Sequence, residues 1–177
     1  IDPPWNLINV KTFYTKANKV YTEGGFDVFM GRIFHILREL TTKGQLEVAL
    51  VEMGKQYVDV FAEGIRQIFG NVRVYESKYY NKYLCFIIQG WKHAGAFVDI
   101  PDERKDELKM IDDYIRIRNQ SGKHTILDFC NGRGATSRTA YKYGMSFICT
   151  EFNINRFAVA VEDLMKMGAT VKGVTAR

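Results

Sequence analysis

Apolar residues recur at three- and four-residue spacings through Phe26, Phe29, Met30, Ile33, Phe34 and Leu37, which predicts an amphipathic helix over 26–40 with one face on a core. The same spacing in Val58, Phe61, Ile65, Ile68 and Phe69 predicts a second helix over 57–69, stopped by Gly70 and Asn71. Between them, 45–53 is an apolar run of strand length. Two β-rich runs, 72–75 and 83–88, joined by the polar segment 76–82, predict an antiparallel hairpin within 71–91. Residues 101–118 open with acidic residues and carry Leu108, Ile111, Tyr114 and Ile115, again a helical pattern. From there strands are predicted over 125–129, 145–150 and 169–174, alternating with helices over 135–143 and 154–167 that close at Gly144 and Gly168. The polar stretch 6–25, with Lys11, Lys16 and Lys19 interleaved with Phe13, Tyr14 and Tyr21, reads as a surface loop. Strands alternating with helices of this length predict an α/β fold with a mostly parallel sheet covered on both faces.

The 177 residues contain no internal repeat, low-complexity tract or Pro/Ser-rich linker, so one domain over 1–177 is expected. With 46% hydrophobic and 25% charged residues, disorder and fibrous architecture are excluded. No apolar run approaches the ~20 residues that span a bilayer, and the start Ile1-Asp2-Pro3-Pro4-Trp5 lacks a basic segment followed by an apolar one. A soluble, intracellular protein is therefore expected. Cys85, Cys130 and Cys149 are odd in number and match no zinc spacing, which predicts reduced, buried thiols and no metal site. The net charge of +5 is compatible with a polyanionic partner.

Two segments carry candidate chemistry. In Asp128-Phe129-Cys130-Asn131-Gly132-Arg133-Gly134 the glycines stand between a buried strand and a helix, where open parallel sheets bind ligands and where glycine lets a ligand approach the backbone. The segment lacks the full G-x-G-x-x-G spacing and no G-K-[ST] follows, which disfavours a dinucleotide or triphosphate. Glu151, at the end of the next strand, can accept both hydroxyl hydrogens of a ribose. A nucleoside cofactor lying across two strands satisfies both features; a tight turn beside a solvated acid is the plainer alternative. The second segment is Asp2-Pro3-Pro4-Trp5, in which two prolines fix φ twice and remove two backbone donors. An exocyclic amine has its lone pair delocalised into the base. A carboxylate and a backbone carbonyl accepting its two N–H bonds would localise that pair outward while an indole stacks on the ring. Asp2, the carbonyl of Pro3 and Trp5 supply those functions. The alternative is a rigid terminus with Trp5 packed on the core. A strand before Asp2 is expected to aim it, and the sequence holds none.

Together these motifs resemble the S-adenosylmethionine-dependent amino-methyltransferases of DNA and RNA, which join a D/N/S-P-P-Y/F/W motif to an F-x-G-x-G-like loop on a Rossmann-like sheet. The order, with Asp2 to Trp5 before the loop, is similar to the permuted beta class of bacterial and phage N6-adenine and N4-cytosine enzymes. The resemblance implies a Rossmann-like methyltransferase fold with the antiparallel hairpin at one edge of the sheet. It implies that Asp2, Pro3, Pro4 and Trp5 hold the target amine. It also implies that Asp128, Phe129, Asn131, Gly132 and Gly134 line the methionine part of S-adenosylmethionine, and that Glu151 binds its ribose. Aspartate at the first position leans toward adenine. The tryptophan form also occurs in messenger-RNA adenine methyltransferases, so DNA is favoured over RNA without excluding it. The implied setting is the cytoplasm of a bacterium or phage-infected host, in restriction-modification.

Three positions depart from the family: Asn131 and Arg133 replace small or serine-like residues, and Cys130 precedes them. The chain is also too short for a full target-recognition domain, so a specificity subunit or a second copy of the chain is the expected source of sequence readout. Lys11, Lys16, Lys19 and Tyr14 are the leading candidates for nucleic-acid contact, and the hairpin tip from Lys78 to Lys82 is second. The rival from a different class is a non-catalytic methyltransferase-like subunit that binds nucleic acid or a protein partner. Activity depends on one spatial expectation: the tetrapeptide and the glycine loop meet at neighbouring strand ends.

Overall fold

The computed structural model describes residues 1–100, 106–120 and 124–170, and the chain divides into two compact units, Ile1–Met110 and Ile111–Arg177. The first contains α1 (Leu7–Lys16), α2 (Phe26–Thr42), β1 (Val48–Met53), α3 (Val58–Phe69), β2 (Asn71–Tyr79) and β3 (Tyr83–Trp91), then a 3-10 turn at Ala94–Ala96. The boundary between the units falls within α4 (Glu107–Asn119).

In the first unit the strands form an antiparallel sheet in the order β1-β3-β2. Its core follows from the helical spacing of α3, whose Val58, Phe61, Ala62, Ile65, Ile68 and Phe69 are all buried. α3 packs on β3 and β2, and α2 lies on α3 through Phe34 and Phe61, whose ring centroids are 5.0 Å apart. Each fully buried Phe or Ile of this interface contributes roughly 1.5–3 kcal/mol. Gly70, in the left-handed region at φ 84°, ends α3 as its sequence position predicts.

The second unit holds β4 (Thr125–Asp128), α5 (Ala135–Lys142), β5 (Ser146–Cys149) and α6 (Ile154–Lys166). β4 and β5 pair in parallel, from Thr125 opposite Ser146 to Asp128 opposite Cys149, with α5 as the crossover. The C-terminal end of α5 is tied to α4, where Tyr143 donates its hydroxyl to Asp112 at 2.8 Å and Asn119 donates to the Tyr143 carbonyl at 2.9 Å. Residues 171–174 of the strand expected over 169–174, and residues 101–105 of the helix expected over 101–118, lie outside the described residues.

Several expectations are corrected. Residues 7–16 are helix, where a surface loop was expected for the whole of 6–25. Asn6 caps this helix by accepting the Asn9 N–H at 2.9 Å, and Leu7, Val10 and Tyr14 recur at helical spacing beneath the lysines. The hairpin is tighter than the polar segment 76–82 suggests. Tyr75 and Ser77 are buried while Glu76 and Lys78 are exposed, so the alternation of a strand continues to Tyr79. The turn is Tyr80-Asn81-Lys82, between the paired Tyr79 and Tyr83, with positive φ at Tyr80 and Asn81 (50° and 58°) and the Lys82 N–H donating to the Tyr79 carbonyl at 3.0 Å. Finally, the pairing among the described residues is mostly antiparallel, not mostly parallel. The physical reason lies in β3. The β1-α3-β2 crossover does set β1 and β2 in the same direction, as the alternation implies. The hairpin then returns β3 between them, antiparallel to both, so β1 and β2 never bond to each other and the hairpin supplies the sheet's centre as well as its edge.

Candidate active site

The tetrapeptide is anchored by the residue before it. The Ile1 nitrogen donates to the Leu50 carbonyl at 2.8 Å, and the Ile1 carbonyl accepts from the Glu52 N–H at 3.0 Å. One residue bonding two alternate residues of a strand is the pattern of a parallel ladder. Ile1 thus lies along β1 and performs part of the aiming expected of a preceding strand. Asp2 is then exposed, Pro3 buried, and Pro4 and Trp5 half-buried. The Trp5 ring nitrogen donates to Asp2 Oδ1 at 3.2 Å, which holds carboxylate and indole within one four-residue turn.

Two residues that position Trp5 are not evident from the motif. Gly54 follows β1, and a Cβ there would stand 2.7 Å from Trp5 Cε3 and 3.1 Å from Cδ2, so only glycine leaves room for the indole. Tyr79 meets the edge of Trp5 with centroids 5.1 Å apart. A glycine immediately after an apolar strand was the available signal for the first; the second needed the hairpin register.

Behind the tetrapeptide the sheet carries a polar face. Glu52 stands opposite Ile87, and Tyr75 stands opposite Ile87 on the other side, so all three share one face. Glu52 is 4% exposed and its Oε1 has no hydrogen-bond partner. Burial, reinforced by Asp2 and Glu107, pushes its pKa up to about 9, so it keeps its proton at neutral pH. Glu107 is buried at the start of α4, and burial raises its carboxyl to about 7 against the opposing bond from the Tyr80 N–H. Burial likewise raises the Tyr79 hydroxyl above its ordinary value and the Cys85 thiol to about 12, the latter helped by Glu52. Cys85 is therefore an inert thiol.

The glycine loop belongs to the second unit. Asp128 is buried at the end of β4 and accepts the Cys130 N–H at 2.9 Å, which turns the chain out of the strand. The Asn131 N–H donates to the Thr150 carbonyl at 3.1 Å, and the Thr150 N–H donates to the Asp128 carbonyl at 2.9 Å, so the loop is stitched to the end of β5. Asn131 donates to Ser137 Oγ at 3.2 Å, and Ser137 donates to the Gly134 carbonyl at 3.1 Å. Gly134, at φ 88°, is buried where a Cβ would come 2.7 Å from the Ala160 Cβ of α6. Gly132, at φ 56°, meets only the Cys130 carbonyl at 4.0 Å. One glycine closes the loop onto its support and the other keeps its outer face clear. Asn131 is 8% exposed and its Oδ1 has no partner, a buried acceptor that a ligand's ammonium or hydroxyl would satisfy. Phe129 is half-buried beside the loop, and Glu151, also half-buried, accepts the Asn153 N–H at 2.6 Å through one oxygen. These features fit a small polar ligand with an amino-acid end and a ribose. Cys149 is held to about 12 by burial and by Asp128, so it adds no nucleophile.

Of the candidate nucleic-acid contacts, Lys11 and Lys16 are exposed on α1, and Lys19 is exposed just beyond it. Tyr14 packs edge-on against Tyr21 at 5.0 Å, and Lys16 Nζ lies 6.0 Å above the Phe13 ring. On a helix, five positions separate Lys11 from Lys16 by roughly 140° around the axis, so they do not form one flat basic loop. Among the described residues no three His, Cys, Asp or Glu side chains are grouped to hold a metal, and no helix is long and apolar enough to cross a membrane.

No family model matches the sequence, and no curated protein matches it. Solved structures do, and they define the class of fold: the chain has an α/β fold. The particular structures are the crystal structure of M1.HpyAVI, with TM-score 0.57 at 14% identity over 74% of this chain and 82% of that one, and the crystal structure of the M1.HpyAVI-SAM complex, with TM-score 0.52 at 14% identity over 75% and 83%. The chain shares their fold, in agreement with the α/β class expected from the sequence, though not with a mostly parallel sheet.

Proposed function

We propose that the protein is a methyltransferase that uses S-adenosylmethionine and acts on nucleic acid, with N6 of adenine in DNA as its target. The observation that carries this reading is the Asp2–Trp5 turn held against β1 by Ile1, an acid and an indole fixed side by side in a chain that shares the fold of M1.HpyAVI, itself solved with SAM. The cofactor supplies an electrophilic methyl carbon on its sulfonium. Asn131, with its unpartnered buried oxygen, the clear face of Gly132, and the neighbouring Asp128, Phe129 and Gly134 would hold the methionine end, and Glu151 the ribose. Asp2 and the Pro3 carbonyl accept the two N–H bonds of the target amine, which directs its lone pair outward, and Trp5 stacks on the base. A bound cofactor would supply the methyl group, and Asp2, exposed and accepting an N–H of the amine, would take the proton that the nitrogen loses and pass it to solvent. The base must come out of its stack, at a cost of a few kcal/mol that Trp5 offsets in part, so single-stranded DNA is the preferred substrate. Lys11, Lys16, Lys19 and Tyr14 contact the strand.

The test is Asp2→Ala, followed by transfer of labelled methyl to adenine-containing single-stranded DNA and by calorimetry with S-adenosylmethionine. Transfer falls about 100-fold or more while cofactor affinity is kept. Unchanged turnover removes the role of Asp2, and a folded wild-type protein that binds no S-adenosylmethionine overturns the reading.

A further inference from the structure

The hairpin tip presents aromatic surface in an unusual way. Tyr80 is 67% exposed and Tyr83 is 55% exposed, next to the exposed Lys78 and Lys82, with Lys82 Nζ 5.1 Å above the Tyr83 ring. Tyr80 sits at φ 50°, a left-handed conformation that favours glycine or asparagine and is strained for a bulky residue. The strain is held by Glu107, 1% exposed, whose two carboxyl oxygens accept the Tyr80 N–H at 3.1 and 3.3 Å. A buried carboxyl group thus holds the backbone of a residue whose ring stays in solvent. The rings also form a continuous run: Trp5 to Tyr79 is 5.1 Å between centroids, and Tyr79 to Tyr80 is 4.3 Å.

We infer that Tyr80, backed by Tyr79, is a stacking platform for the nucleotide flanking the target base in single-stranded DNA. The inference rests on the proposed function, since Trp5 is where the target base stacks. A strand continuing from Trp5 along the aromatic run reaches Tyr80, and the exposed Lys78 and Lys82, two positions to either side of it in the hairpin tip, would meet its phosphates. Alternating π-faces and cations are how sequence-tolerant single-strand sites are built.

The platform itself is tested by binding, without cofactor or turnover, and a methylation assay separates it from the proposed function. Binding of a single-stranded oligodeoxynucleotide, with 2-aminopurine beside the target adenine, is followed by anisotropy and by 2-aminopurine fluorescence. Tyr80→Gly keeps the turn, because glycine accepts φ 50°, and Tyr80→Phe keeps the ring. Tyr80→Gly is expected to bind about tenfold more weakly and to lose the quenching of 2-aminopurine, with Tyr80→Phe close to wild type. Equal affinity and equal quenching in all three overturn the platform. If the wild type binds through Tyr80 but methylates nothing, the platform stands and the proposed function fails. If it methylates DNA and Tyr80→Gly leaves affinity and KM unchanged, the platform fails and the function stands.

Discussion

Glu52 looks in the sequence like one acid in an apolar run, yet burial in the fold changes its chemistry. Its folded pKa of about 9 lies above the ordinary 4.5, so the folded protein binds a proton that the unfolded chain releases between those values. Where the native state holds more protons, stability falls as pH rises. The contribution is intact below about pH 4.5 and is lost progressively as pH climbs through 9. Glu52→Gln removes the titrating group and keeps the shape. We expect its melting temperature to match wild type near pH 5 and to exceed it by several degrees at pH 8; an equal difference at both pH values would show that Glu52 does not titrate in this way. Gly54 illustrates the same scale from the opposite side, since what matters there is an absent side chain. Both residues were overlooked in the sequence for the same reason: the meaning of each lies in Trp5 and Asp2, about fifty positions away.

At the scale of elements, the glycine loop was legible as a strand-to-helix turn, but the two glycines do different work and only coordinates separate them. Gly134 touches α6, so Gly134→Ala combines a strained φ with a clash against Ala160 and should cost ~1–3 kcal/mol of stability. Gly132 faces open space, so Gly132→Ala should cost less, about 1 kcal/mol, while placing a methyl group on the open face of the loop, where the cofactor is proposed to bind. Thermal unfolding and calorimetry with S-adenosylmethionine check this together: the Gly132 variant should melt above the Gly134 variant yet bind cofactor more weakly than wild type. Equal cofactor affinity in the Gly132 variant would mean that the loop's open face is not the ligand face. α1 shows how an element escapes notice. Its apolar positions recur at helical spacing, but the lysines and tyrosines between them dominate the composition, and the Asn6 cap is a single residue. The long helices α2 and α3 were plain because their apolar faces are several turns long.

For the whole molecule, the charge of +5 becomes informative only with a polyanion to measure it against. If Lys11, Lys16 and Lys19 each neutralise one phosphate of a single strand, affinity should fall about 20-fold between 50 and 200 mM salt. Titration of labelled single-stranded DNA at several salt concentrations gives the slope, and a slope near zero would exclude those contacts. Hydrophobic periodicity and turn residues, which act over neighbouring positions, determined where most helices and strands run, that the fold is α/β, and which short segments are candidates for a site. What the tertiary structure decided is everything set by partners distant in the chain: β3 lying between β1 and β2, Ile1 bonding along β1, Gly54 yielding space to Trp5, and Glu52 keeping its proton. Backbone hydrogen bonding and burial join residues without regard to their separation in sequence, so a local pattern can announce a strand but not its neighbour, and can show a carboxylate but not the charge it carries.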